Sequence, residues 1–166
     1  MITLITGGIK SGKSDFALKL ANKYKTKIFL ATAVPFNEEM EDKIKAHKKQ
    51  RDNSWVTLEE PVEIIKELGM ASNYDIMLID CLNMWLNNLF YYNKDINSYI
   101  NDFEVYLQGN KTSNFIIITN EAGQNLVPFE KLSRDFVNYL GILNQRIAAI
   151  ANNVYILFAG IPVKLK

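Results

Sequence analysis

The 166-residue chain is predicted to fold as an α/β domain of three layers, a mostly parallel central sheet with helices on both faces. Three observations carry this. Short apolar runs rich in Ile and Leu alternate with stretches of helical periodicity from one end of the chain to the other. The first run, Ile2 to Thr6, breaks into glycines that end on Lys13-Ser14, so a strand feeds a turn that feeds a helix. Polar residues gather where runs end, at Gly7 to Ser14, Thr32, Asp80, Asn120 and Glu121. In an open α/β sheet that edge holds ligands.

The glycine turn reads Gly7-Gly8-Ile9-Lys10-Ser11-Gly12-Lys13-Ser14, with the P-loop spacing of Gly, four residues, Gly, Lys and Ser. Glycines let successive backbone N–H groups converge on an anion, and the next helix aims its positive end at the same point. Lys13 is then expected to reach the β- and γ-phosphates, and the Ser14 hydroxyl to ligate Mg²⁺. The helix itself is Ser14 to Tyr24, with Phe16, Ala17, Leu20 and Ala21 on one face. Lys27 to Ala31 is a second strand. Thr32 to Asn37 is a loop broken by Pro35. The charged stretch Glu38 to Arg51 places Met40, Ile44 and His47 on one helical stripe.

Trp55 to Glu59 reads as a short strand, and Glu60-Pro61 opens a helix expected to run through Leu68. Ile76 to Asp80 is an apolar run ending in an acid, the form of a buried parallel strand that delivers a carboxylate. Leu82 to Tyr92 and Ile96 to Gln108 are helices whose aromatics Trp85, Phe90, Tyr91 and Tyr92 are assigned to core or subunit contact. Asn114 to Thr119 is another buried strand, Leu132 to Ala151 a helix, Val154 to Phe158 a strand and Val163 to Leu165 a candidate last one. No repeat, linker or low-complexity segment interrupts the pattern, so residues 1–166 are read as one nucleotide-binding domain.

Composition narrows the function. A net charge of +1 offers no broad footprint for nucleic acid or an acidic membrane. The single cysteine, Cys81, forms no internal disulfide, and no Cys/His cluster has zinc-ligand spacing, which suits a reducing compartment. The first apolar run is too short for a secretory signal, and none approaches the length of a membrane span. The expectation is a cytoplasmic enzyme.

Asp80 fits the acid that binds Mg²⁺ directly or through water in nucleotide-hydrolysing folds, with the capping of the next helix as the plainer alternative. His47, the only histidine, faces protein or ligand on its stripe. It is either a satisfied, partly buried ring or a neutral imidazole that serves as nucleophile or base at a phosphate. Lys48, Lys49 and Arg51 beside it can offset phosphate charge or form a solvated face.

Beyond these motifs, the segments GGIKSGKS, IFLATA, AHKKQRDNSWVTLEEP, ITNEAGQNLVP, LNQRIAAIAN and AGIPVKLK, in that order, resemble the adenosylcobinamide kinase / adenosylcobinamide-phosphate guanylyltransferase family across nearly the whole chain. The resemblance implies a RecA-like P-loop fold, a homotrimer and a bifunctional enzyme of cobalamin nucleotide-loop assembly. Such an enzyme phosphorylates the aminopropanol hydroxyl of adenosylcobinamide with ATP or GTP. It then transfers GMP from GTP to adenosylcobinamide phosphate through a histidine-GMP intermediate, releasing pyrophosphate. His47, in the H-x-x-x-R context that ends at Arg51, is the matching histidine. By the same resemblance Gly7, Gly8, Ile9, Lys10, Ser11, Gly12, Lys13, Ser14, Ala31, Thr32, Ala33, Lys48, Lys49, Gln50, Arg51, Glu59 and Asp80 are nucleotide contacts, Ser14 and Asp80 hold Mg²⁺, and His47 and Lys13 are catalytic. Two departures stand out. Lys10 replaces a frequent Arg, and Phe136-Val137-Asn138 replaces a frequent Phe-Arg-Asp. The alternatives are a P-loop kinase of small molecules in which His47 is structural, and a nucleotide-dependent assembly module.

Overall fold

The computed structural model describes residues 1–34, 52–123 and 127–166. In chain order its elements are β1 (Ile2–Gly7), α1 (Lys13–Ala21), β2 (Lys27–Ala31), β3 (Trp55–Glu59), α2 (Ile64–Glu67) with a 3-10 turn (Leu68–Asn73), β4 (Ile76–Asp80), α3 (Leu82–Tyr91), α4 (Ile96–Gly109), β5 (Phe115–Ile118), α5 (Lys131–Ile150), β6 (Asn153–Phe158) and β7 (Ile161–Lys164). The strands form one sheet in the order β3-β2-β4-β5-β1-β6-β7. Every pairing is parallel except the last, β6 with β7.

Strand side chains alternate between two faces, and both faces are covered. Leu4, Ile28, Leu30, Met77, Ile79 and Ile117 point to one side, where they meet Trp85, Phe103 and Leu143 from α3, α4 and α5. Ile5, Phe29, Ile76, Leu78, Ile116 and Ile118 point to the other, where they meet Ala17 and Ala21 of α1. Each such Ile or Leu contributes about 1.5–3 kcal/mol when fully buried. Continuous apolar runs in the sequence thus correspond to strands sandwiched on both sides.

The strands at Lys27–Ala31, Trp55–Glu59 and Ile76–Asp80 have the boundaries their patterns predict. The helix expected from Pro61 does not start there. Glu60 Oε1 accepts the N–H groups of Val62 and Glu63, both at 2.8 Å. The carbonyls of Pro61 and Val62 accept from Asn88 Nδ2 at 2.9 Å and Trp85 Nε1 at 2.8 Å. With backbone groups committed to tertiary partners, helix begins only at Ile64 and tightens to 3-10 geometry after Glu67. The last strand lies slightly earlier than expected and runs antiparallel. It is joined to β6 through Ala159 and Gly160, both at positive φ, the twist that two-residue hairpins favour. Of the aromatics assigned to core or contact, Trp85 is fully buried, Phe90 packs on Phe136 and Tyr139, and Tyr91 and Tyr92 are exposed.

Candidate functional site

The site is built at the carboxyl edge of the sheet, where β1 runs into the glycine turn. Gly7 and Gly12 hold φ of 145° and 91°, and Lys10 holds 57°. The turn needs glycine at the first two for space as well as for torsion. A Cβ on Gly7 would stand 2.6 Å from the Leu157 carbonyl oxygen, and one on Gly12 would stand 3.2 Å from Gly160 Cα. The β6–β7 hairpin therefore packs directly against the turn. Gly160 N–H donates to Ser11 O at 3.0 Å.

Lys13 opens α1 and is buried. Its Nζ donates to the carbonyls of Gly7 at 3.1 Å and Gly8 at 2.6 Å, so the ammonium is held inside the turn that it serves. Burial lowers its pKa from the ordinary lysine range, and the neighbouring Cys81 and Asp80 oppose that shift. Burial, reinforced by the Asp80 charge, pushes the Cys81 thiol up, which keeps it protonated and a poor nucleophile.

Asp80 ends β4, two strands from β1 with β5 between them. Ser14 Oγ donates to Asp80 Oδ2 at 3.0 Å across 66 residues of sequence. One hydroxyl and one carboxylate side by side, next to an anion turn, match the way Mg²⁺ is held, by few protein oxygens together with water and substrate phosphates. Among the described residues no group of three or more His, Cys, Asp or Glu is placed to cage a metal. The Ser14–Asp80 pair fits Mg²⁺ shared with a nucleotide.

The turn residues and Asp80 are thus brought together. Ala31 ends β2 and Thr32 and Ala33 follow it, three strand spacings from β1, and exposed Glu59 ends β3, four spacings away, roughly 14 and 19 Å at about 4.8 Å each. They lie along the same edge, three and four strand spacings from the glycine turn. Thr32 is fully buried, and its hydroxyl donates to Cys81 O at 2.8 Å and accepts from Cys81 N–H at 2.9 Å. Asn88 Nδ2 donates to Thr32 O at 2.8 Å. That hydroxyl ties two strand ends together. His47, Lys48, Lys49, Gln50 and Arg51 lie outside the described residues.

Sequence reasoning noted Glu121 as a polar strand end and assigned it no role. Its N–H donates to Gly7 O at 3.1 Å. The segment it belongs to is clamped by Asn144 of α5, which accepts from Thr119 Oγ1 at 2.7 Å and donates to Asn120 O at 2.9 Å. Nothing in the periodicity of α5 marks Asn144. Glu121 lines a pocket of about 360 Å³ together with residues 7–11 and 156–159, and residues 10–15 bound another of about 350 Å³. A third cavity, of about 750 Å³, opens between residues 122–123 and 127–128 on one side and α5 on the other. Val137 and Asn138, the positions of the second departure, line it.

Comparisons with known proteins agree with this geometry. The family model described as cobinamide kinase / cobinamide phosphate guanyltransferase matches residues 3–165. The bifunctional adenosylcobalamin biosynthesis protein CobP of Pseudomonas aeruginosa is 36% identical over 170 residues, covering 100% of this chain and 98% of that protein. The bifunctional adenosylcobalamin biosynthesis protein CobU of Escherichia coli is 29% identical over 181 residues, covering 100% of both. Among solved structures, an ATPase of a bacterial type III secretion system aligns with a TM-score of 0.58 at 8% identity, over 98% of this chain and 56% of that one. A KaiC-like protein of Pyrococcus horikoshii aligns with a TM-score of 0.53 at 16% identity, over 93% of this chain and 69% of that one. These two likenesses concern the fold, that of P-loop NTPases.

Proposed function

The chain belongs to the cobinamide kinase / cobinamide phosphate guanyltransferase family, and from that premise we propose that this one sheet edge serves two successive transfers onto a corrinoid. In the first, a nucleoside triphosphate, ATP or GTP, lies with its phosphates in the turn formed by residues 7–14. Lys13 leaves the carbonyls of Gly7 and Gly8 for the β- and γ-phosphates, and the loop N–H groups take the remaining oxygens. Ser14 and Asp80 hold Mg²⁺, which when bound supplies positive charge against the phosphate oxygens. The aminopropanol hydroxyl of adenosylcobinamide displaces the nucleoside diphosphate from the γ-phosphorus.

In the second transfer, the His47 imidazole attacks the α-phosphorus of GTP. A P–N bond forms as the bond to pyrophosphate breaks. A phosphate oxygen of adenosylcobinamide phosphate then attacks the same phosphorus, the P–N bond breaks, and adenosylcobinamide-GDP leaves with the imidazole neutral again. Residues 48–51, Ala31 to Ala33 and Glu59 are assigned to the nucleotide on the strength of the resemblance. The same reading makes the protein a cytoplasmic homotrimer. Among the described residues no helix is long and apolar enough to cross a membrane.

The observation that carries the proposal is the 3.0 Å pairing of Ser14 with Asp80 directly after a buried lysine, in a chain matched along its length by that family. GTP labelled at the α-phosphate is expected to leave acid-labile, base-stable label on the wild type and none on His47→Ala. Label retained by the variant would reject His47 as the nucleophile.

A further inference from the structure

The cavity lined by Ala122, Gly123, Val127, Pro128 and one face of α5 is about twice the volume of the pocket beside the glycine turn, 750 against 360 Å³. Val127, Val137 and Ile142 give it apolar walls, while Arg134, Asn138 and Gln145 bring polar ends to them. That mixture and size suit a small-molecule ligand with an apolar body and hydrogen-bonding fringe. Its rim is tied to α5, since Arg134 Nη1 donates to Pro128 O at 3.1 Å and also to Phe129 O.

Glu121 lies beside the glycine turn and immediately precedes Ala122 and Gly123, which line this cavity. Its backbone is bonded to Gly7 and its residue lines the turn's pocket. Its carboxylate lies beside Gly123. Oε1 is 3.5 Å from where a Cβ on Gly123 would stand, and Gly123 lines the large cavity. Among the described residues no side chain donates a hydrogen bond to that carboxylate. A partly buried acid is thus held beside the glycine turn and next to Gly123, a residue of the large cavity.

We propose that the large cavity receives the corrinoid acceptor, a broad ligand fringed with amides, and that Glu121 accepts the proton of the acceptor hydroxyl during phosphorylation. The inference rests on the kinase reading above. As the acceptor oxygen bonds to the γ-phosphorus, the bond from that phosphorus to the bridging oxygen breaks and the nucleoside diphosphate leaves. The hydroxyl proton passes to the Glu121 carboxylate and from there to water. The second transfer has no such need, because its acceptor is already a phosphate anion. Glu121 therefore separates the two reactions chemically.

The test measures both reactions on the full chain, with adenosylcobinamide plus ATP for the first, and adenosylcobinamide phosphate plus GTP for the second. Glu121→Gln, which keeps shape and removes the basic oxygen, is expected to lower kcat for phosphorylation by about 10²-fold or more. The ratio of the phosphorylation rate to the GMP-transfer rate should fall at least about 30-fold. Ile142→Trp, which fills the cavity from an exposed position, is expected to raise KM for adenosylcobinamide about tenfold. Formation of enzyme-bound GMP by both variants reports that they are folded. Loss of both rates in proportion, or phosphorylation at the wild-type rate in Glu121→Gln, overturns the proton-accepting role. An unchanged KM, or an altered oligomeric mass, in Ile142→Trp overturns the acceptor site. A wild type that phosphorylates no cobinamide sinks the kinase reading itself, and this inference with it.

Discussion

Gly7 and Gly8 are neighbours with opposite tolerances. At Gly7 a methyl group would meet backbone oxygen at 2.6 Å in a torsion that L residues rarely adopt, whereas at Gly8 nothing lies within 4 Å. Gly7→Ala is expected to cost about 3 kcal/mol or more, lowering Tm by roughly 6–12 °C, while Gly8→Ala stays within about 0.5 kcal/mol of wild type. Thermal unfolding followed by circular dichroism distinguishes the two. The pattern of glycines, lysine and serine was legible in the sequence because the turn is local, and its few residues encode both the torsions and the anion site. Glu121 was not, because its place depends on β5 lying beside β1, and no residue near 121 records that neighbour. Asp80 lay between these cases. The apolar run before it announced a delivered carboxylate, but its partner Ser14 lies in α1, the helix that follows β1, a strand two places away.

Helix α4 shows how much of an element is written at its start. Asp95 adopts an extended conformation, and its side chain accepts the N–H of Ser98 at 3.2 Å, satisfying a donor that the helix itself leaves open. Asp95→Ala is expected to destabilise the protein by about 1 kcal/mol and Asp95→Asn by much less. Urea unfolding midpoints for the two variants, compared at constant slope, give the difference. Helix α4, governed by such a local rule, starts where its pattern predicted and ends one residue later than expected, at Gly109, and the strands Lys27–Ala31, Trp55–Glu59 and Ile76–Asp80 have their predicted bounds. The segment after Glu60 behaved otherwise. Its carbonyls are claimed by Asn88 and Trp85, more than twenty residues downstream, so helical propensity from Pro61 onward was overridden by tertiary donors.

At the scale of the molecule, alternation of strand and helix announced a covered parallel sheet, but strand order is a non-local property and was not legible from any single stretch. The position of His47 relative to the turn is a question of the same kind, and that residue lies outside the described ones. The proposed trimer also belongs to this scale. Phe129 is 99% exposed, Val127 81% and Leu132 64%, apolar side chains open to solvent in a single chain. Light scattering is expected to give three times the 19.0 kDa chain mass, with Phe129→Asp shifting the distribution toward one.

Any such assembly is constrained by the hairpin that closes the sheet. β7 is exposed along its whole length, yet it is four residues long, reverses direction, and contains Pro162 and Lys164. A further strand approaching that rim would find an amide hydrogen missing and a cation to desolvate. Subunits joining there would have to dock through side chains, because the ladder of main-chain bonds stops with this chain.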